Sequence, residues 1–189
     1  MKVHVYGSVV ASHVDGPGMR AVVHFAGCSL RCPGCFNQDL WDRRGPAVHL
    51  VEANKLASDM LAISSSVTIS GGEPTEQMLG LVDLLHSLRS MECDDIVMFS
   101  GHRLGALRRA SAWQAIEAGN MLDVLIDGRF RADLIETGSI MRGSSNQRIH
   151  CLTSRWEESD FEDRGVQVLL DEGRVVVTGF PEAELLEAI

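Results

Sequence analysis

Cys28, Cys32 and Cys35 fall within the eight residues CSLRCPGC, and no fourth cysteine stands near them. Three thiols this close oblige the chain either to wrap a common centre or to keep a reactive pair with one to spare. The surrounding residues suit wrapping. Gly27 and the Pro33-Gly34 pair permit a tight bend, and Leu30 and Phe36 flank the thiols with apolar bulk. The spacing by itself leaves three readings open. A structural zinc site needs four ligands, so His13, His24 or Cys151 would have to travel to complete it. Cys32-Pro33-Gly34-Cys35 has the C-x-x-C spacing of a redox pair, which leaves Cys28 surplus. A cubane iron–sulfur cluster takes three corners from three cysteines and leaves its fourth iron open to a small molecule.

The rest of the composition narrows the setting. Five cysteines in 189 residues, odd in number and bunched, do not form a secreted disulfide framework. The start has no apolar run behind basic residues, and no stretch approaches the ~18 apolar residues of a membrane helix. The expectation is a cytoplasmic protein with no membrane partner. Net charge is −9, and residues 157–189 hold ten of the 26 acidic residues but two of the 17 basic ones. A near-neutral body with an acidic tail argues against a nucleic-acid partner, and the tail reads as a solvated face.

Hydrophobic periodicity predicts an α/β chain. KVHVYGSVV and AVVHF read as strands joined by the DGPGM turn. Leu56, Met60 and Ile63 have helical spacing, SVTIS is a short β-branched strand, and Met78, Leu81, Val82, Leu85 and Leu88 form one helical stripe. Thr75 is the expected N-cap of that helix, with Glu76 in its first turn. DIVMFS is a strand, Leu104, Leu107, Trp113 and Ile116 suggest one helix, and DVLID is a further strand. Alternation of this kind implies parallel strands with crossover helices. After Thr153 the pattern changes to a hairpin turning at Asp171-Glu172-Gly173, and Pro181 opens a short helix. The predicted organisation is a body of residues 1–152 and an acidic extension of residues 153–189.

The second constellation is VTISGGEPTEQ. Ser70, Gly71 and Gly72 end a strand with bare backbone, and Glu73 follows before Pro74. The C-terminal ends of parallel strands are where α/β sheets bind ligands, and carbonyls with a carboxylate can receive an ammonium group. A plain strand-to-helix turn is the alternative.

The cysteine spacing C-x3-C-x2-C together with the Gly-Gly-Glu-Pro strand-end resembles the radical S-adenosylmethionine (SAM) superfamily. Within it the chain is similar to the small activating enzymes of glycyl-radical proteins. DGPGMR, CPGCFNQDLW, VLIDGRF and RGSSNQRIH extend the resemblance over residues 15 to about 152. The resemblance implies an incomplete, open (β/α) barrel with the hairpin-plus-helix extension added. It implies a [4Fe–4S] cluster on Cys28, Cys32 and Cys35, with SAM chelated by the unique iron. Ser70, Gly71, Gly72 and Glu73 would meet the SAM amino group, and Gly34, Cys35 and Phe36 would lie on the adenine side. It further implies flavodoxin or ferredoxin as electron donor. The radical acceptor would be a glycyl-radical protein, with anaerobic ribonucleotide reductase as the expected one. Another glycyl-radical enzyme, or a peptide or small molecule, is the rival target, and a metal-stabilised interaction module is the non-enzymatic rival.

Other residues carry two readings each. Asp127 sits where the resemblance expects a SAM contact, and Arg129 stands where relatives have lysine, which is not an equivalent donor. Arg142, Ser144, Ser145, Asn146 and Gln147 shape the site or merely make a turn. Arg20 reaches a carboxylate or is solvated. His102 lines the cavity or sits in an ordinary loop. Cys93 and Cys151 are expected to be small buried hydrophobes.

Overall fold

The computed structural model describes residues 1–171, 174–181 and 185. Seven strands form one open sheet, a mixed α/β arrangement. They are β1 (Lys2–Ser12), β2 (Arg20–Phe25), β3 (Val48–Glu52), β4 (Ser66–Gly71), β5 (Asp95–Ser100), β6 (Val124–Asp127) and β7 (Arg148–Cys151). Their order is β3-β1-β2-β4-β5-β6-β7. The central four, β2, β4, β5 and β6, run parallel, and β1, β3 and β7 are antiparallel to their neighbours. Register pairs Phe25 with Gly71 and Ser100 with Asp127, so the parallel strands end together. The loops that follow them are thereby gathered on one side of the sheet.

Alternation along the strands separates two apolar faces. On one face Val23, Phe25, Ile69, Met98 and Leu125 pack with α1 (Ala53–Leu61), α2 (Met78–Ser90) and the pair α3 (Leu104–Leu107) and α4 (Ser111–Ala118). Of the stripe expected on α2, Leu81, Leu85 and Leu88 are fully covered and Met78 and Val82 half-buried, while Leu84, not expected, is buried with them. Where a single helix was expected from Leu104 to Ile116, the chain makes two, because the turn at Arg108–Ala110 lets both Leu107 and Trp113 reach the core. On the other face Val97, Val124 and Ile126 meet Met141, Ile149, Phe161 and Phe180. Two of those covering residues come from beyond Thr153, so the C-terminal segment roofs this face.

The predicted hairpin is present as β8 (Val166–Asp171) paired antiparallel with β9 (Arg174–Gly179). Its turn residues Glu172 and Gly173, and most of the helix expected after Pro181, lie outside the described residues. Two expectations are corrected. The carboxylate of Glu73, not the hydroxyl of Thr75, caps the turn that leads into α2, accepting from Thr75 N at 3.0 Å. Cys151 is exposed, because it ends the edge strand β7. Cys93 is buried as expected, and burial pushes its thiol up to about 11. Among the described residues no helix is long and apolar enough to cross a membrane.

Arg20 resolves to the buried reading. It is fully enclosed, paired with Asp95, and donates to Thr68 Oγ1 at 2.8 Å and to Val67 O at 2.7 Å. A guanidinium offers five donors, and this set of oxygens is what makes its burial tolerable.

Candidate active site

The cysteine loop leaves the end of β2 and returns to it. Gly27 N donates to Leu40 O at 2.7 Å and Cys28 N to Trp41 O at 3.0 Å, closing the loop at its root. Inside it, Cys35 N donates to Cys32 O at 3.1 Å across the Pro33-Gly34 turn. The three thiols are free, half-buried, and stand on the wall of one open cavity. That cavity is open to solvent on one side. Desolvation raises the Cys28 and Cys35 thiols above their ordinary value. Backbone amides oppose this at both, and the Trp41 side chain opposes it at Cys35.

Trp41 carries a buried indole N–H that meets the Cys35 thiol and helps hold its pKa down. Placed on the cavity wall beside Cys35, it fits a thiolate or sulfide. A structural zinc site would need a fourth protein ligand beside these three thiols. Three thiols on one wall and an N–H already set against one of them suit a larger sulfur-rich centre.

Opposite the thiols lies the end of β4, where Ser70, Gly71 and Gly72 line the same cavity. Neither glycine admits a side chain. A Cβ on Gly71, at φ +105°, would stand 2.4 Å from Phe25 N, and one on Gly72 would stand 2.5 Å from Gly27 O. Close packing is also what joins the two halves of the site, since Gly72 N donates to Phe25 O and Glu73 N to Gly27 O. Glu73 itself is wholly buried behind this wall. Its Oε1 accepts from Thr75 N, Thr75 Oγ1 and Ser100 Oγ, and its Oε2 accepts from Gly101 N at 2.7 Å. Glu73 thus ties the end of β4 to the end of β5.

Asp127 is likewise buried at the end of β6 and engaged from behind. Its carboxylate accepts from Arg103 at 3.0 Å and from Leu104 N at 2.6 Å, with His150 Nε2 3.0 Å away. Gly128 and Phe130, just beyond it, reach the cavity. Arg129 donates to Leu30 O at 2.9 Å, bracing the cysteine loop, and with His102 lines a neighbouring pocket that touches Cys32. In the polar loop, Gln147 is the organiser. It accepts from Gly143 N and Ser144 N and donates to Gly128 O at 2.8 Å. Asn146 donates to Arg129 O and Arg142 pairs with Glu136, while Ser144 is buried and Ser145 exposed. Phe36 stacks obliquely on Phe130 with centroids 5.1 Å apart, next to Gly34.

Several wall residues were not singled out from sequence. Asp15, in the DGPGM turn, is buried and accepts from Ser12 and from Thr178 of β9. Phe99 stands edge-on to Phe180 at 6.2 Å, and Gly179 and Phe180 bring the C-terminal segment into the cavity wall. Asp15 carried a signal, since an acid before Gly-Pro-Gly needs partners when the turn is buried. Phe180 carried none, because its neighbours are distant in sequence.

Comparison with known proteins agrees with this geometry. The sequence model of the 4Fe-4S single cluster domain matches residues 14–150. An anaerobic ribonucleoside-triphosphate reductase-activating protein of Salmonella typhi is 34% identical over 163 residues, covering 80% of this chain and 99% of the relative. The protein of that name from Escherichia coli K12 is 31% identical over 74% of this chain and 92% of its own length. That from bacteriophage T4 is 29% identical over 78% and 89%. The family match and these identities converge on proteins of one kind: the chain belongs to the 4Fe-4S single cluster domain family and, within it, to the anaerobic ribonucleoside-triphosphate reductase-activating proteins.

Proposed function

We propose that this chain is a radical SAM enzyme of the incomplete (β/α)-barrel type, which installs a glycyl radical on anaerobic ribonucleotide reductase. The observation that carries the reading is the single cavity shared by Cys28, Cys32, Cys35 and the Ser70-Gly71-Gly72 strand-end. Cys28, Cys32 and Cys35 would ligate three irons of a [4Fe–4S] cluster, with the fourth iron left for SAM. When bound, cluster and SAM together supply reductive cleavage to methionine and a 5′-deoxyadenosyl radical, which removes a glycine α-hydrogen.

The chain's own residues do the remaining work. Trp41 donates its N–H toward the Cys35 sulfur. Backbone oxygens at Ser70, Gly71 and Gly72 receive the SAM ammonium, on a strand-end that Glu73 holds against β5. Gly34 and Phe36 offer a face to the adenine, with Phe130 behind. Asp127 sets the β6 end through Arg103 and Leu104 N, and this indirect role suits its burial better than a direct SAM contact. Phe36, Phe99, Phe130 and Phe180 give the cavity an apolar lining. Flavodoxin or ferredoxin supplies the electron. The setting is cytoplasmic, and neither membrane nor nucleic acid takes part.

The test is anaerobic reconstitution. About four iron and four sulfide per chain are expected, with SAM cleavage on dithionite reduction and a glycyl doublet in the electron paramagnetic resonance spectrum once the reductase is added. A colourless protein holding one zinc sinks the proposal.

A further inference from the structure

The β8–β9 hairpin has two unlike faces. Register sets Val168 opposite Val177 and Leu170 opposite Val175, and with Val166 these five residues share one face. The other face is pinned to the body. The Gln167 side chain accepts from His13 N at 2.9 Å and donates to Ala11 O at 3.2 Å, and Thr178 donates to Asp15. Among the described residues the outward face is open. Leu170 is 81% exposed, Val168 52%, Val175 46% and Val166 39%. A contiguous strip of branched aliphatics without a polar residue is not how a solvated hairpin is built, and such strips mark interaction sites.

We propose that this strip docks the glycyl-radical protein. The inference rests on the activating function proposed above and adds where the partner is held. Two observations choose this occupant over a second copy of the chain. The first is continuity: β9 runs from Val175 and Val177 directly to Gly179 and Phe180, which wall the cavity. A protein seated on the strip is therefore beside the opening that its glycine must enter. The second is charge. The segment leading into β8 exposes Glu157, Glu158, Asp160, Glu162 and Asp163. A second copy would bring like charges together, whereas a partner whose apolar ridge is bordered by lysine or arginine would be attracted. The hairpin lies beyond the residues 14–150 that match the family.

The test uses the full chain, reconstituted, carrying Val168→Asp and Leu170→Asp. Both side chains are largely exposed, so iron content and dithionite-driven SAM cleavage without partner stay at wild-type levels. Glycyl-radical formation is followed against the concentration of anaerobic ribonucleotide reductase. The expected result is a rise in the Michaelis constant of about tenfold or more, with the rate at saturation retained. The wild-type constant should also rise with salt. An unchanged constant with cleavage intact overturns the docking alone. A dimer that becomes monomeric with the constant unchanged gives the strip to a second copy. A lowered melting temperature with the constant unchanged gives the strip to packing within the chain itself. Either outcome overturns the proposal. A wild-type chain that cleaves no SAM overturns the activating function, and this inference with it.

Discussion

Trp41 and Glu73 show how single atoms decide the site. Trp41→Phe keeps an aromatic ring and removes the side-chain N–H that meets the Cys35 sulfur. Hydrogen bonds to cluster sulfurs favour the reduced, more negative state. The variant should retain its iron and show a lower midpoint potential in a redox titration read by electron paramagnetic resonance; an unmoved midpoint means the indole does not reach sulfur. Glu73→Gln tests a different point. The native carboxylate accepts from four donors at Thr75, Ser100 and Gly101. An amide must turn its NH₂ toward one of them, leaving a buried donor facing a donor. A loss of about 1–3 kcal/mol is expected in chemical denaturation, with SAM affinity falling as the β4 end loosens. His24 adds a pH dependence. It pairs with Ser70 in the β2–β4 register, and burial lowers its pKa below the ordinary 6.5, opposed by the charge of Asp15. The unfolded chain takes up that proton near pH 6.5 while the folded chain resists it. Stability is therefore fully present above pH 6.5 and falls as pH drops below it, and His24→Gln should flatten that limb of a melting-temperature profile.

Elements carry these residues, and they differ in how plainly the sequence announces them. Strands β2, β4, β5 and β6 and helix α2 were legible because each has one strong period and a turn signal at its end. β3 was not, since Val48–Glu52 passes into α1 without a turn, Glu52 serving as its N-cap. β7 was hidden for another reason: four residues beside a polar loop give too little alternation to count. The thiols and the glycine strand-end were legible because they are local motifs. Asp15 meeting Thr178 was not, because 163 positions separate them. That contact belongs to the hairpin as an element. Thr178→Val removes one donor from a buried carboxylate in the cavity wall. It should cost about 1–3 kcal/mol and raise the SAM Michaelis constant, whereas Thr178→Ser should restore both; equal losses in the two variants would show that the hydroxyl is not what matters.

At the scale of the molecule, the question is whether residues 153–189 form a separate unit or a roof. The acidic tail reads as separate in sequence, being different in charge and in periodicity from the body. In the fold, Phe161 is fully buried and shares a cluster with Val97, Val124 and Ile126 of the sheet. Trp156 stands edge-on to Phe161, and Arg164 lies over the Phe180 ring at 5.1 Å. Without that roof, the face of the sheet away from the helices would expose apolar strand residues to water. Unfolding should therefore be a single transition by calorimetry, with body and roof melting together. Phe161→Ala should lower that transition as a whole, since removing a buried phenyl costs about 3–5 kcal/mol. For a chain of this length that is roughly 6–20 °C. If the variant instead shows a new low-temperature step while the main transition stays in place, the segment melts on its own. Phe180 would then be a mobile visitor to the cavity wall rather than part of it.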